Sequence, residues 1–148
     1  MNFDLTEDQL AFQQAARDFA AGELAPHAAK WDAESIFPVA TIAAAGQLGF
    51  CGLYAAEAHG GLGLPRLDAT LVFEELAAAC PSTTAYITIH NMATWMITNW
   101  ARPEVAAAWG PQLAARCQLR PPIGGNFRPG PVGDHPGRHV VDGDVRRG

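Results

Sequence analysis

Cysteine is scarce in this sequence, and none of the cysteines stands in a recognisable motif. Cys51, Cys80 and Cys117 are widely spaced, odd in number and include no CxxC pair, so they fit neither a disulfide framework nor a zinc knuckle. His27 and His59 lack the HExxH or His-x-His spacing of a histidine metal site. We therefore expect reduced cysteines and no metal site.

Long apolar runs and targeting signals are also absent. No segment has the run of about 18 or more apolar residues with basic flanks that crosses a membrane. The N-terminal MNFDLTEDQ has neither the basic nor the apolar region of a secretion signal. With 148 residues, 49% of them hydrophobic, the chain is long enough for one domain with its own core. We expect a cytoplasmic globular protein with no membrane span.

Basic residues are rare until the last quarter of the chain. Residues 1–112 carry four basic and twelve acidic side chains, a net charge of −8, whereas residues 113–148 carry six Arg and three Asp, a net charge of +3. Residues 114–148 also include seven Gly and five Pro, a composition that buries too little apolar surface to offset the entropy of ordering. We predict an all-α short helical bundle at 1–113 and a Gly/Pro/Arg-rich, irregular and disordered tail at 114–148.

Charged residues are missing altogether from STTAYITIHNMATWMITNW, residues 82–100. A surface helix needs a polar face about as wide as its apolar face, so this segment is predicted to be a buried helix that opens after Cys80-Pro81. Thr84, Thr88 and Met92 fall at i, i+4 and i+8, on a line that can border a pocket.

The alternative interpretation of the same helix is purely structural. Its Thr, Asn and His side chains then bond back to carbonyl groups or to neighbouring helices. His90 has no carboxylate or Cys three or four residues away, so we interpret it as a hydrogen-bonded buried histidine rather than a catalytic one.

Local signals place other helices around this segment. Thr6 and Gln9 have the spacing of a capping box, which predicts a helix from Glu7. A further helix is predicted over residues 66–79, with Leu67, Leu71 and Ala78 on one side and with Phe73 and Leu76 widening that apolar face. Gly60, Gly61 and Gly63 form a GGxG that lacks the preceding strand of a phosphate cradle, so we interpret it as a tight loop.

The ordered set of motifs resembles the N-terminal helical domain of the FAD-dependent acyl-CoA dehydrogenases. The resemblance covers residues 3 to 113 and rests on four strings: LTEDQLAFQQAARDFAAGELAPHAAKWD, GQLGFCGLYAAEAHGGLGL, LVFEELAAAC and STTAYITIHNMATWM. The last string is similar to the isobutyryl-CoA dehydrogenase branch, which acts on short branched acyl-CoA thioesters in branched-chain amino acid catabolism.

The resemblance implies a role for the uncharged helix. In such enzymes this helix forms one wall of the acyl pocket, and by motif order the wall positions here are Thr84, Ala85, Thr88, Ile89 and Met92. A glutamate of the C-terminal helical domain removes the proton alpha to the thioester, and hydride passes from the beta carbon to flavin. This chain contains no such domain, so we expect no catalytic and no cofactor-binding residue in it, and no FAD bound to it alone.

The resemblance stops where the family's flavin-binding strand domain should begin. A complete member continues after WGPQL into a motif like YCLTEPGAGSD, whereas this chain reads Arg116-Cys117-Gln118-Leu119 and then loses the pattern. A frameshift or a premature end would produce such a tail. The resemblance also implies that complete members are homo-oligomers with an acyl-CoA substrate, and that this chain alone is inactive and prone to aggregate.

Two functions outside this family are also compatible with the residues. A small helical interaction module would use the apolar surface of a helical layer. A nucleic-acid binder would use the Arg-rich tail, but its Arg residues are diluted by Asp, and the acidic body would oppose it. We therefore expect no nucleic-acid partner.

Overall fold

The computed structural model describes residues 4–115 and shows six α-helices within that range. In chain order they are α1 (Glu7–Phe19), α2 (Ala28–Ala33), α3 (Val39–Gln47), α4 (Arg66–Ala79), α5 (Pro81–Trp100) and α6 (Pro103–Ala115). A π-helical turn (Ala20–Leu24) extends α1, and a 3₁₀ turn (Glu57–His59) lies between α3 and α4. The all-α prediction is confirmed for this range. The predicted irregular tail lies, from residue 116 onward, outside the described residues.

Helix α1 begins where its capping signals predict. The backbone N–H of Thr6 donates to Gln9 Oε1 at 3.0 Å, and the N–H of Gln9 donates to Thr6 Oγ1 at 3.2 Å. Gln9 also donates from Nε2 to Asp68 Oδ1 at 2.8 Å. The capping box therefore both starts α1 and ties it to the first turn of α4.

Helices α1, α4, α5 and α6 pack side by side in that order. Arg17 on α1 makes a bidentate pair with Glu75 on α4, with N–O distances of 2.6 and 3.0 Å. This hydrogen-bonded pair lowers the pKa of Glu75 and raises that of Arg17. Because α4 lies between α1 and α5, the core forms on both sides of it, and its large members are Phe19, Leu24, Ile42, Phe50, Leu53, Val72, Leu76 and Ile87.

The predicted bounds of α4 are confirmed, and of its predicted apolar face Leu76 is buried whereas Leu67 is not. The buried residues of α4 are Ala69, Val72 and Leu76. Leu67 is 59% exposed, and at about 100° per residue it lies on the opposite side of the helix. The helix carries two apolar lines, and hydrophobic spacing alone does not say which one meets the neighbouring helices.

The glycine-rich loop is a tight reversal, as interpreted from the sequence. The N–H groups of residues 60–64 all donate to backbone carbonyls; three of these bonds join Leu62 to Gly52, Gly63 to Ala55 and Leu64 to Leu53 at 2.7–2.9 Å. Gly60 and Gly63 have φ of 76° and 60°, which glycine adopts without strain. Since these amides are already paired, the loop does not present them to a phosphate.

Two of the three cysteines lie among the described residues. Cys80 is a free buried thiol that donates to Thr83 Oγ1 at 3.2 Å. Cys51 is fully buried, and the expectation of reduced cysteines stays a prediction. No group of three or more His, Cys, Asp or Glu residues suited to a metal ion occurs within residues 4–115.

Candidate functional site: the exposed face of α5

Helix α5 starts at a proline and has one buried and one exposed side. Pro81 occupies the first helical position, where its missing N–H costs nothing. Six residues of the helix face the core: Thr83, Thr84, Ile87, His90, Asn91 and Thr94. The opposite side, which carries Ile89 and Met92, is open. The prediction of a buried helix therefore holds for one side of α5 and is wrong for the other within the described part of the chain.

Three threonine hydroxyls on α5 donate to backbone carbonyls one turn earlier in the chain. Thr84 Oγ1 donates to the carbonyl of Cys80 at 2.9 Å, Thr88 Oγ1 to that of Ala85 at 2.9 Å, and Thr94 Oγ1 to that of His90 at 2.8 Å. This is the structural role that the sequence left open for them. Because each of these hydroxyls has a hydrogen-bond partner, the threonines can pack against apolar neighbours without an unsatisfied polar atom.

Asn91 fastens α5 to the loop that follows α3. Its side chain is fully buried. Oδ1 accepts from the N–H of Leu53 at 2.7 Å, and Nδ2 donates to the carbonyls of Phe50 and Ile87 at 2.7 and 2.9 Å. A single amide thus satisfies three buried backbone groups, two of them in the loop.

His90 joins α5 to α6 and is a hydrogen-bonded buried histidine, as interpreted from the sequence. Its Nε2 lies 2.8 Å from the carbonyl oxygen of Leu113, so Nε2 carries the hydrogen and donates it. Burial lowers the pKa of His90 below its ordinary 6.5, and the bond to Leu113 offsets part of that effect. Burial is the larger of the two effects, so the neutral ring is favoured.

The burial of His90 predicts a pH-dependent stability. The unfolded chain takes up the proton near pH 6.5, before the folded chain does, so the free energy of unfolding falls as pH drops from about 7.5 toward the lower folded pKa, by at most about 1.4 kcal/mol per pH unit. Urea unfolding at several pH values measures this slope. His90→Gln removes the slope in this window, whereas His27→Gln, at an exposed site, retains it. An unchanged slope in His90→Gln contradicts this account.

The open side of α5 carries an uncharged stripe. Ile89 is 61% exposed, Met92 52%, Met96 51% and Trp100 75%. Ala85 is exposed at the beginning of the same stripe, four residues before Ile89. A contiguous apolar patch on a protein surface is typical of a site that contacts a ligand or another part of a protein.

The structure brings four of the five predicted wall residues onto this side. Ala85, Ile89 and Met92 are exposed, and Thr88 is partly exposed at its edge. Thr84 is only 4% exposed and belongs to the buried side. The line from Thr84 through Thr88 to Met92 rotates about 40° at each step, so it begins in the core and ends at the surface.

A groove that the sequence analysis missed continues from this stripe. It has a volume of about 490 Å³ and is lined by Met92 and by five residues not predicted from sequence: Tyr54, Arg66, Trp95, Met96 and Trp100. The spacing of Met92, Met96 and Trp100 at i, i+4 and i+8 was a signal for it. A second cavity of about 300 Å³ lies at the other end of α5, beside Trp31, Cys80 and Thr83.

Comparison with known protein families gives a consistent result. The family described as "Acyl-CoA dehydrogenase, N-terminal domain" matches residues 6–116. The mitochondrial isobutyryl-CoA dehydrogenase of Bos taurus is 51% identical over 100 residues, which cover 68% of this chain and 24% of that protein. The one from Dictyostelium discoideum is 46% identical over 111 residues, covering 75% and 27%. The chain therefore spans about a quarter of the length of these relatives.

Solved structures show the same fold. The glutaryl-coenzyme A dehydrogenase complex with glutaryl-CoA superposes with a TM-score of 0.73 at 26% identity, covering 78% of this chain and 30% of that one. Butyryl-CoA dehydrogenase from Megasphaera elsdenii gives 0.72 at 26% identity, covering 78% and 31%. No helix among the described residues is long and apolar enough to cross a membrane.

Proposed function

The chain belongs to the acyl-CoA dehydrogenase family through its N-terminal domain, and from that premise we propose that the exposed side of α5 forms one wall of an acyl pocket. The complete protein would be an FAD-dependent dehydrogenase that introduces an alpha,beta double bond into short branched acyl-CoA thioesters such as isobutyryl-CoA. The wall would consist of Ala85, Thr88, Ile89 and Met92. Thr84 would support the wall from the buried side.

The observation that carries this proposal is the uncharged, exposed stripe on α5. An acyl chain brings no group that could pair with a buried ion, so its pocket must be free of unpaired charge. From Pro81 to Trp100 the helix has no Asp, Glu, Lys or Arg. The two relatives named above, at 51% and 46% identity, are isobutyryl-CoA dehydrogenases. This similarity supports a short branched acyl group as the substrate.

The wall residues would contribute binding and exclusion of water rather than chemistry. Ile89 and Met92 present aliphatic and thioether surface. An apolar acyl group that packs against this surface displaces water from it. Thr88 keeps its hydroxyl on the carbonyl of Ala85, so it presents its methyl group without leaving a polar atom unpaired. We assign no catalytic residue to this chain.

Members of the family are flavoproteins, and the residues described here do not fit the flavin by themselves. The glycine-rich loop could offer backbone N–H groups to the cofactor's phosphates, but those of residues 60–64 are all paired with carbonyls. When bound in the complete protein, FAD would accept the hydride. We propose that the chain alone holds no FAD and is inactive, and that it forms a helical domain at 1–113 followed by a separate segment at 114–148.

Compartment and assembly belong to the same proposal. A cytoplasmic location was expected from the sequence, whereas both isobutyryl-CoA dehydrogenases above are named as mitochondrial. We retain the cytoplasm as a proposal for this chain, together with homo-oligomers for the complete protein and aggregation for the chain alone. The alternative of a non-catalytic interaction module is not favoured, because the family match spans the whole helical region.

A chimera tests the proposal. Residues 6–115 replace the matching segment of the Bos taurus isobutyryl-CoA dehydrogenase, and turnover of isobutyryl-CoA is followed with an artificial electron acceptor. We expect a flavin-containing, active chimera, because the recipient supplies the remaining three quarters of a complete member. The recipient without the segment is the control and should be inactive. A chimera that is folded and flavin-loaded but does not oxidise isobutyryl-CoA contradicts the proposal.

A further inference from the structure

The groove beside the C-terminal half of α5 contains one charged side chain in an otherwise uncharged wall. Helix α5 contributes Met92, Trp95, Met96 and Trp100. Tyr54 lies in the segment between α3 and α4, and Arg66 is the first residue of α4. A volume of about 490 Å³ is within the usual range for small-molecule sites. The groove shares only Met92 with the proposed acyl wall.

Arg66 is held between two aromatic rings. Its guanidinium carbon lies 4.8 Å from the centre of the Tyr54 ring and 5.3 Å from that of Trp95. Both distances are in the range of cation–π attraction. Contacts with two rings restrict the guanidinium before any ligand arrives, so less entropy is lost when its N–H groups bind an acceptor.

No carboxylate within residues 4–115 pairs with Arg66. The two ion pairs in that range join Arg17 to Glu75 and Arg102 to Glu104. The described range has a net charge of −8, so the body as a whole repels anions. An anion that binds here must therefore gain its affinity locally, from Arg66 and from apolar contact.

We propose that this groove binds an amphipathic carboxylate, with its apolar body along Met92, Met96 and Trp100 and its carboxylate on the N–H groups of Arg66. A planar guanidinium matches a carboxylate with two parallel hydrogen bonds. One such group suits a singly charged carboxylate better than a phosphate, which recruits several donors. The site shares Met92 with the proposed acyl wall, but it depends on Arg66 and is tested on the chain alone, so its failure leaves the proposed function untouched.

Calorimetric titration of the 148-residue chain with octanoate and with octanamide tests this site. The two probes have the same length and differ in charge. We expect octanoate to bind with a Kd of about 1 mM or below and octanamide at least fivefold more weakly. Equal affinity for the two probes, or no octanoate binding at low millimolar concentration, overturns the proposal.

Variants of Arg66 separate charge from shape. Arg66→Gln should weaken the binding of octanoate about tenfold and leave the binding of octanamide unchanged. Arg66→Lys keeps the charge but loses the planar guanidinium, and it should weaken the binding of octanoate about threefold. Arg102→Gln is the matched control, because Arg102 is also an exposed arginine but lies outside the groove lining, and it should have no effect. An effect of Arg102→Gln equal to that of Arg66→Gln would show general electrostatic attraction and overturn the site.

Discussion

Replacing Asn91 by Ala will lower the free energy of unfolding by about 4 kcal/mol, a large part of the roughly 5–15 kcal/mol that is ordinary for a domain. The side chain is fully buried. Its loss leaves the N–H of Leu53 and the carbonyl of Phe50 without their partner, and each unsatisfied buried group costs about 1–3 kcal/mol. The cavity left by the amide adds to this. Urea unfolding followed by circular dichroism at 222 nm measures the loss.

Asn99 provides a matched control for this change. It lies on the same helix, is exposed, and donates only to the carbonyl of Trp95 and the hydroxyl of Thr98. Asn99→Ala should change the free energy of unfolding by less than about 0.5 kcal/mol, as surface substitutions usually do. Similar effects of the two substitutions would mean that Asn91 does not fasten the loop to α5.

Local signals were sufficient for several helix boundaries. The Thr6 and Gln9 pair predicted the start of α1, and residues 66–79 were predicted as the helix that the structure shows as α4. Caps and prolines act within one turn of the chain, so a sequence contains all the information that they use. The hydrogen-bonded role of His90 was also predictable, because no catalytic partner lies near it along the helix.

Which side of a helix meets the core was less predictable. On α4, the predicted apolar face ran through Leu67 and Leu71 and included Leu76. Of these only Leu76 is buried, together with Ala69 and Val72. Alanine at position 69 gives a weak apolar signal in sequence. It packs well in the structure because a small side chain lets a neighbouring helix approach closely.

The exposed side of α5 was not predictable from composition. The absence of charge indicates only that most of the helix surface is expected to be buried. It does not show what covers that surface. Within residues 4–115 the neighbours of α5 cover Ile87 and Asn91 and leave Ile89 and Met92 open. The wall residues came instead from the family resemblance. The aromatic contacts of Arg66 were invisible, because Tyr54 and Trp95 are distant from it in sequence.

Replacing Ala85 by Phe will abolish most of the activity of the isobutyryl-CoA dehydrogenase chimera. Ala85 is exposed at the start of the stripe, so a phenyl ring there extends into the proposed pocket without disturbing the core of the domain. Displacing the acyl group by even about 1 Å costs on the order of 100-fold in rate, and a ring displaces it further. We expect kcat/KM for isobutyryl-CoA to fall at least about 100-fold, with flavin content unchanged.

The most direct test of the acyl wall compares Ala85→Phe with Ala15→Phe in that chimera. Both positions are exposed helical alanines, but Ala15 lies on α1, which α4 separates from α5. We predict the large loss of kcat/KM at position 85 and less than about a threefold change at position 15. Equal activities of the two flavin-loaded variants would contradict the assignment of this side of α5 to the acyl group.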